Sequence, residues 1–151
     1  MKTGSDAPTP QLNSLYQQLI LEHYRSPRNK GEMEDADVEV HMLNPTCGDE
    51  IKLQMKVEDG VITNVMHSGQ GCSISQAAVS MMTALVKDKP VEEAMTIAAR
   101  FTEMMHGDES AAGDRSLGNL RSLAGVAKFP VRVKCALLGF DALQESVKKL
   151  G

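Results

Sequence analysis

Asp37-Val38-Glu39-Val40-His41-Met42 and, after a short connection, Ile51-Lys52-Leu53-Gln54-Met55-Lys56-Val57-Glu58-Asp59-Gly60-Val61-Ile62-Thr63-Asn64-Val65 open on two runs that alternate apolar with polar side chains. Alternation lays one face of an extended chain on a core and the other in water, so both runs predict strands. Asp59-Gly60 is a hairpin signal, because a two-residue turn whose twist suits the flanking strands needs central residues that tolerate positive φ. Val61 to Val65 then returns as a third strand. The stretch predicts an antiparallel three-stranded meander.

Upstream, Leu12, Leu15, Tyr16, Leu19, Ile20, His23 and Tyr24 recur at the spacing of one helix face from Gln11 onward, and Pro27 stops it. Residues 1–10, polar and carrying Gly4, Pro8 and Pro10, are expected to be a mobile arm ahead of a single domain over 11–151. Downstream of the meander, Ile74, Ala77, Ala78, Met81, Met82, Leu85 and Val86 form a helical stripe ended by Lys89-Pro90. A further helix is expected from Val91 to Met105, a loop from His106 to Gly118, and a short helix near Leu120 to Ala127. Ala136, Phe140, Leu143, Val147 and Leu150 mark the last helix. The fold class is therefore α+β, a small antiparallel sheet with helices packed on one face.

The composition narrows the function. A net charge of −4 with no basic stripe speaks against nucleic-acid binding, and 3% aromatics without Trp leaves no stacking platform. No run approaches the roughly 20 apolar residues of a membrane span, and the polar start is not expected to act as a signal peptide. A cytoplasmic setting is expected. There, three cysteines do not make a disulfide framework.

The cysteines lie in three motifs: Asn44-Pro45-Thr46-Cys47-Gly48-Asp49, Gly69-Gln70-Gly71-Cys72-Ser73 and Arg132-Val133-Lys134-Cys135. Gly48 permits backbone conformations that let Cys47 and Asp49 converge, although a C-x-D turn whose Asp merely caps a backbone N–H has the same spacing. Ser73-Ile74-Ser75-Gln76 reads as a capping box, leaving Cys72 at the positive end of a helix where a thiolate is stabilised. Cys135 is expected at the start of the last helix, with Arg132 and Lys134 favouring its thiolate. Arg132 reads equally well as a plain surface charge. Three thiols and one carboxylate supply the four ligands of a tetrahedral zinc site, if the fold brings them to one end of the sheet. His23, His41, His67 and His106 are alternative ligands, with ordinary structural roles the simpler reading for His23 and His41.

These motifs, with Leu15-Tyr16 and His23-Tyr24-Arg25-Ser26-Pro27-Arg28-Asn29, resemble the SufU family within the IscU/NifU-like superfamily of iron–sulfur cluster scaffolds, from about Leu12 to Leu150. Two features separate the chain from IscU-type members. Lys134 stands where those have a His before the third cysteine, and Lys128-Phe129-Pro130-Val131-Arg132 replaces their chaperone-binding Leu-Pro-Pro-Val-Lys. Residues Gly107 to Phe129 match an insertion typical of SufU-like members. The resemblance implies Zn²⁺ held by Cys47, Asp49, Cys72 and Cys135. It also implies persulfide sulfur accepted from a SufS-type cysteine desulfurase, a pyridoxal-phosphate enzyme, and passed to downstream cluster-assembly proteins. Cys47, on the most mobile of the connections, is the expected acceptor once a partner ligand replaces it, and Arg132 the cation for its released thiolate. The alternative is a scaffold that builds a [2Fe–2S] cluster on the same cysteines.

Overall fold

The computed structural model describes residues 8–151, with side chains from residue 14 onward. Strands β1 (Val38–Asn44), β2 (Asp49–Glu58) and β3 (Val61–Gln70) form one antiparallel sheet in the order β1-β2-β3. The Asp59-Gly60 hairpin forms as expected, with φ of 53° and 77° at its two residues. β1 and β3 run further than the alternating stretches that announce them, to Asn44 and Gln70. The register pairs Asn44 with Asp49 and Glu50 with Gln70, which brings the β1–β2 turn and the exit of β3 to the same end of the sheet.

Helices α1 (Pro8–Arg25), α2 (Ser73–Val86), α3 (Val91–Met105), α4 (Glu109–Ala112) and α5 (Pro130–Leu150) complete the fold, with a 3₁₀ segment, Arg115–Lys128, kinked at Gly118. α5 packs on β1 and β2, α2 packs on β3 and α5, and α1 lies on α2. Val38, Val40, Ile51, Leu53, Met55 and Val65 bury the sheet's inner face beneath them. At the centre, the rings of Phe101 and Phe140 stack with centroids 4.4 Å apart and planes at 21°. Gln54 exchanges two 2.9 Å hydrogen bonds with the main chain of Met33, which ties the segment before β1 to the sheet.

The helices depart from the sequence reading in their bounds and burial. α1 begins at Pro8, so Pro8 to Pro10 of the expected arm are helical, while residues 1–7 lie outside the described residues. Its apolar stripe is only partly covered. His23 is buried, Leu15 and Tyr24 are exposed, and Leu12 lies outside the described side chains. The expected loop from His106 to Gly118 contains α4, whose Asp108 cap accepts the Ser110 N–H, and the first residues of the 3₁₀ segment. α5 starts at Pro130 rather than near Ala136, because proline suits a first helical position, where no N–H is needed.

Candidate metal centre

Residues 45–48 form the turn between β1 and β2, and Gly48 takes a φ of 71° there. That left-handed conformation suits a residue without a Cβ, and it turns the chain so that Cys47 and Asp49 face one point. The Cys47 N–H donates to the Asn44 carbonyl at 3.2 Å and closes the turn. Cys135 arrives on α5, in the second turn of the helix. One ligand atom from each of Cys47, Asp49 and Cys135 lies within 4.8 Å of the others, with Asp49 and Cys135 buried and Cys47 half-buried.

Cys72 approaches from the exit of β3. It is itself the N-cap of α2, with extended backbone, so the capping box expected of Ser73 and Gln76 does not form. The cap is supplied from the sheet instead. Asp49 Oδ1 accepts the Cys72 N–H at 2.9 Å and the Ser75 hydroxyl at 3.1 Å, so a carboxylate sits where a helix N-terminus favours negative charge. Ser75 Oγ also lies 3.1 Å from the Cys72 carbonyl. A Cβ at Gly71 would stand 2.5 Å from Asp49 Oδ1 and 2.6 Å from Ser75 Oγ, so only glycine admits this approach. Cys72 thus adjoins the centre through Asp49, while the tight group of ligand atoms is made by Cys47, Asp49 and Cys135.

Burial of Asp49 by itself disfavours its charge, but hydrogen bonds from the Cys72 N–H, Cys135, Ser75 and the Cys72 side chain outweigh it and hold the carboxyl below its ordinary value. Cys135 moves the other way. Burial first, then the adjoining Cys47, Asp49 and Cys72 groups, push its thiol well up. The expectation that Arg132 and Lys134 favour its thiolate is therefore overturned. Both side chains are exposed, whereas the buried sulfur meets thiols and a carboxylate. A cation among these donors reverses the balance, since a coordinated thiol gives up its proton. The donor set fits zinc, which takes thiolate and carboxylate together in four-coordinate sites.

Arg132 lines a cavity of about 620 Å³ with Tyr16, Ile20, Ser73, Ile74 and Phe129, beginning one residue beyond Cys72. The histidines lie elsewhere. His23 Nδ1 is 2.8 Å from Ser80 Oγ, His67 Nε2 is 2.9 Å from the Arg28 carbonyl, His41 Nε2 is 2.6 Å from Glu50, and His106 ends α3. Sequence reasoning missed Asn44 and Ser75 as partners of the centre. Each stands three residues from a cysteine, Asn44 before Cys47 and Ser75 after Cys72, so the signal was a short polar residue within one turn of a ligand.

A thiol-and-carboxylate cluster at one end of a three-stranded sheet defines a small α+β protein with a candidate metal centre. The family model described as NifU-like N terminal domain matches residues 15–149. The chain belongs to that family, the IscU/NifU-like iron–sulfur cluster assembly proteins, and the SufU resemblance carried by its cysteine motifs is part of that membership. It is 46% identical over 138 residues to the zinc-dependent sulfurtransferase SufU of Bacillus subtilis, covering 91% of this chain and 92% of that one. It is 42% identical to the iron–sulfur cluster assembly scaffold protein IscU of Streptococcus pyogenes, covering 91% and 86%. Among solved structures, a putative iron–sulfur cluster assembly scaffold protein for the SUF system from Fervidobacterium islandicum superposes with a TM-score of 0.80 at 29% identity, over 89% of this chain and 98% of that one.

Proposed function

We propose that the protein is a zinc-dependent sulfurtransferase that accepts persulfide sulfur from a SufS-type cysteine desulfurase and passes it to downstream cluster-assembly proteins. The observation that carries this reading is the unequal setting of the ligands. Asp49 and Cys135 are buried in regular elements, Cys72 is tied by its N–H to Asp49, and Cys47 stands half-buried on a four-residue turn. Cys47, Asp49, Cys72 and Cys135 would hold the metal. Zinc, when bound, supplies a Lewis acid that keeps cysteines as thiolates and adds no redox chemistry of its own.

Cys47 is the nucleophile in this reading. Its thiolate attacks the outer sulfur of the donor persulfide, a new S–S bond forms, the donor's S–S bond breaks, and the donor leaves as a thiolate. Nothing is oxidised or reduced overall. Arg132, exposed at the first turn of α5, is the cation for the charge that Cys47 carries when it leaves the ligand set. Docking is supported by exposed apolar side chains on the segments that bear the ligands. Leu43 adjoins the β1–β2 turn, and Phe129 and Val131 open α5, at 64%, 62% and 59% exposure. No helix among the described residues is long and apolar enough to cross a membrane, and free thiols suit the reducing cytoplasm that the reading assigns.

The test is sulfur loading. Purified protein incubated with the desulfurase and cysteine is expected to gain one sulfur by mass, and Cys47→Ser to gain none while keeping most of its zinc. A Cys47→Ser chain that accepts sulfur at the normal rate removes Cys47 from this role. The second reading, a scaffold for a [2Fe–2S] cluster, is favoured by the same three thiols, since such clusters also take cysteine ligands. It requires iron and visible charge-transfer bands in protein purified without metal supplements, where the first requires a colourless zinc protein.

A further inference from the structure

Among the described residues outside the ligand set, Asn44 touches the most of the centre. It is the last residue of β1, is paired in register with Asp49, and is only 7% exposed. Its carboxamide nitrogen lies 3.3 Å from Asp49 Oδ2 and 3.8 Å from Cys135 Sγ, while its carbonyl accepts the Cys47 N–H at 3.2 Å. A carboxamide NH₂ has two hydrogens, and here two ligand atoms stand within reach of them. The other Asp49 oxygen already serves the Cys72 N–H and the Ser75 hydroxyl.

Chemistry makes this placement more than packing. A centre of thiolates and a carboxylate gathers negative charge in a buried place, and neutral N–H donors relieve it without adding a competing cation. The side chain of Asn44 serves the two buried ligands, whereas its link to Cys47 is through the backbone alone. One residue can therefore hold Asp49 and Cys135 in place while the Cys47 sulfur comes and goes.

We propose that Asn44 is the positioning residue of the centre, its carboxamide bridging Asp49 and Cys135 as a fixed pair and thereby setting how tightly metal is held. The inference rests on the metal-centre reading above. Competition with a chromogenic chelator is expected to show Asn44→Ala holding zinc roughly 10- to 100-fold more weakly than the unaltered chain, the usual effect of losing such a partner. Asn44→Asp keeps the shape but exchanges the donors for an acceptor, and is expected to be as weak as Asn44→Ala or weaker. Either variant matching the unaltered chain overturns the proposal, and a shape-filling role predicts that result for Asn44→Asp.

A measurement on the unaltered chain keeps the test independent of variant folding. With ¹⁵N label and ¹¹³Cd in place of zinc, the Asn44 side-chain amide is expected to shift and to show scalar coupling to the metal through its N–H···S bond. An Asn44 amide unmoved at one equivalent of cadmium overturns the proposal. If the unaltered chain binds neither metal, the metal-centre reading itself falls, which separates the two failures.

Discussion

At the scale of the residue, Asp49 is where fold and chemistry meet. One oxygen caps α2 through Cys72 and Ser75, and the other receives Asn44, so the carboxylate is placed before any metal arrives. Gly71 makes this possible, and its replacement gives a direct test. Gly71→Ala is expected to destabilise the fold by about 1–3 kcal/mol in urea unfolding, because the added methyl displaces Asp49 and Ser75. Zinc affinity is expected to fall in the same variant. A Gly71→Ala chain with an unchanged unfolding midpoint would show that the approach is looser than its distances indicate. Cys135 illustrates a limit of local reasoning. Neighbouring positive charges in sequence suggest a thiolate, but those side chains point to water while the sulfur faces the buried donors.

At the scale of the element, the residues between α3 and α5 are organised by Arg100. Its guanidinium reaches Asp114 at 2.8 Å, Glu103 at 2.9 Å and Asp108 at 3.3 Å, with Ser110 Oγ at 3.1 Å. Asp108 and Asp114 cap the two short helical pieces of this insertion, so one side chain grips both caps. This is why a glycine-rich, aperiodic stretch is ordered where the sequence suggests a loop. Arg100→Met is expected to speed amide hydrogen exchange over residues 108–116 roughly tenfold, with less change elsewhere, since local opening follows the local network. Uniform loss of protection across the chain would instead make Arg100 a determinant of the global fold.

At the scale of the whole molecule, two buried histidines make ties between elements: His23 joins α1 to α2, and His67 joins β3 to the segment after α1. Burial, and then Arg28, lower the pKa of His23, with Glu22 opposing. Burial likewise lowers that of His67, against the raising effect of the Arg28 carbonyl bond and with Lys30 adding to the drop. A histidine pKa depressed in the fold stabilises it fully above the unfolded value, near 6.5, and that stability is lost as pH falls from there toward the folded value. The thermal midpoint of the metal-free protein is therefore expected to fall as pH drops from about 7 to about 5. His67→Gln, which keeps a donor for the Arg28 carbonyl, is expected to flatten that fall. An unchanged slope would assign the pH dependence to other groups.

The sequence by itself determined the meander, the α2 and α5 stripes, the turn at Asp59-Gly60 and which residues are the candidate ligands. These follow from period, turn chemistry and residue type, all of which act over a few neighbouring residues. Helix starts were less legible: Pro8 and Pro130 begin helices that their apolar seams mark only later, and Cys135 consequently lies deeper than its flanking charges imply. The tertiary structure alone decided that Asp49 caps α2, that Asn44 reaches both Asp49 and Cys135, and that Arg132 lines a cavity beginning beside Cys72. All of those contacts but Asn44 to Asp49 join residues far apart in the chain. Their geometry comes from strand register and from the packing of α5 on β1, and no local pattern encodes either.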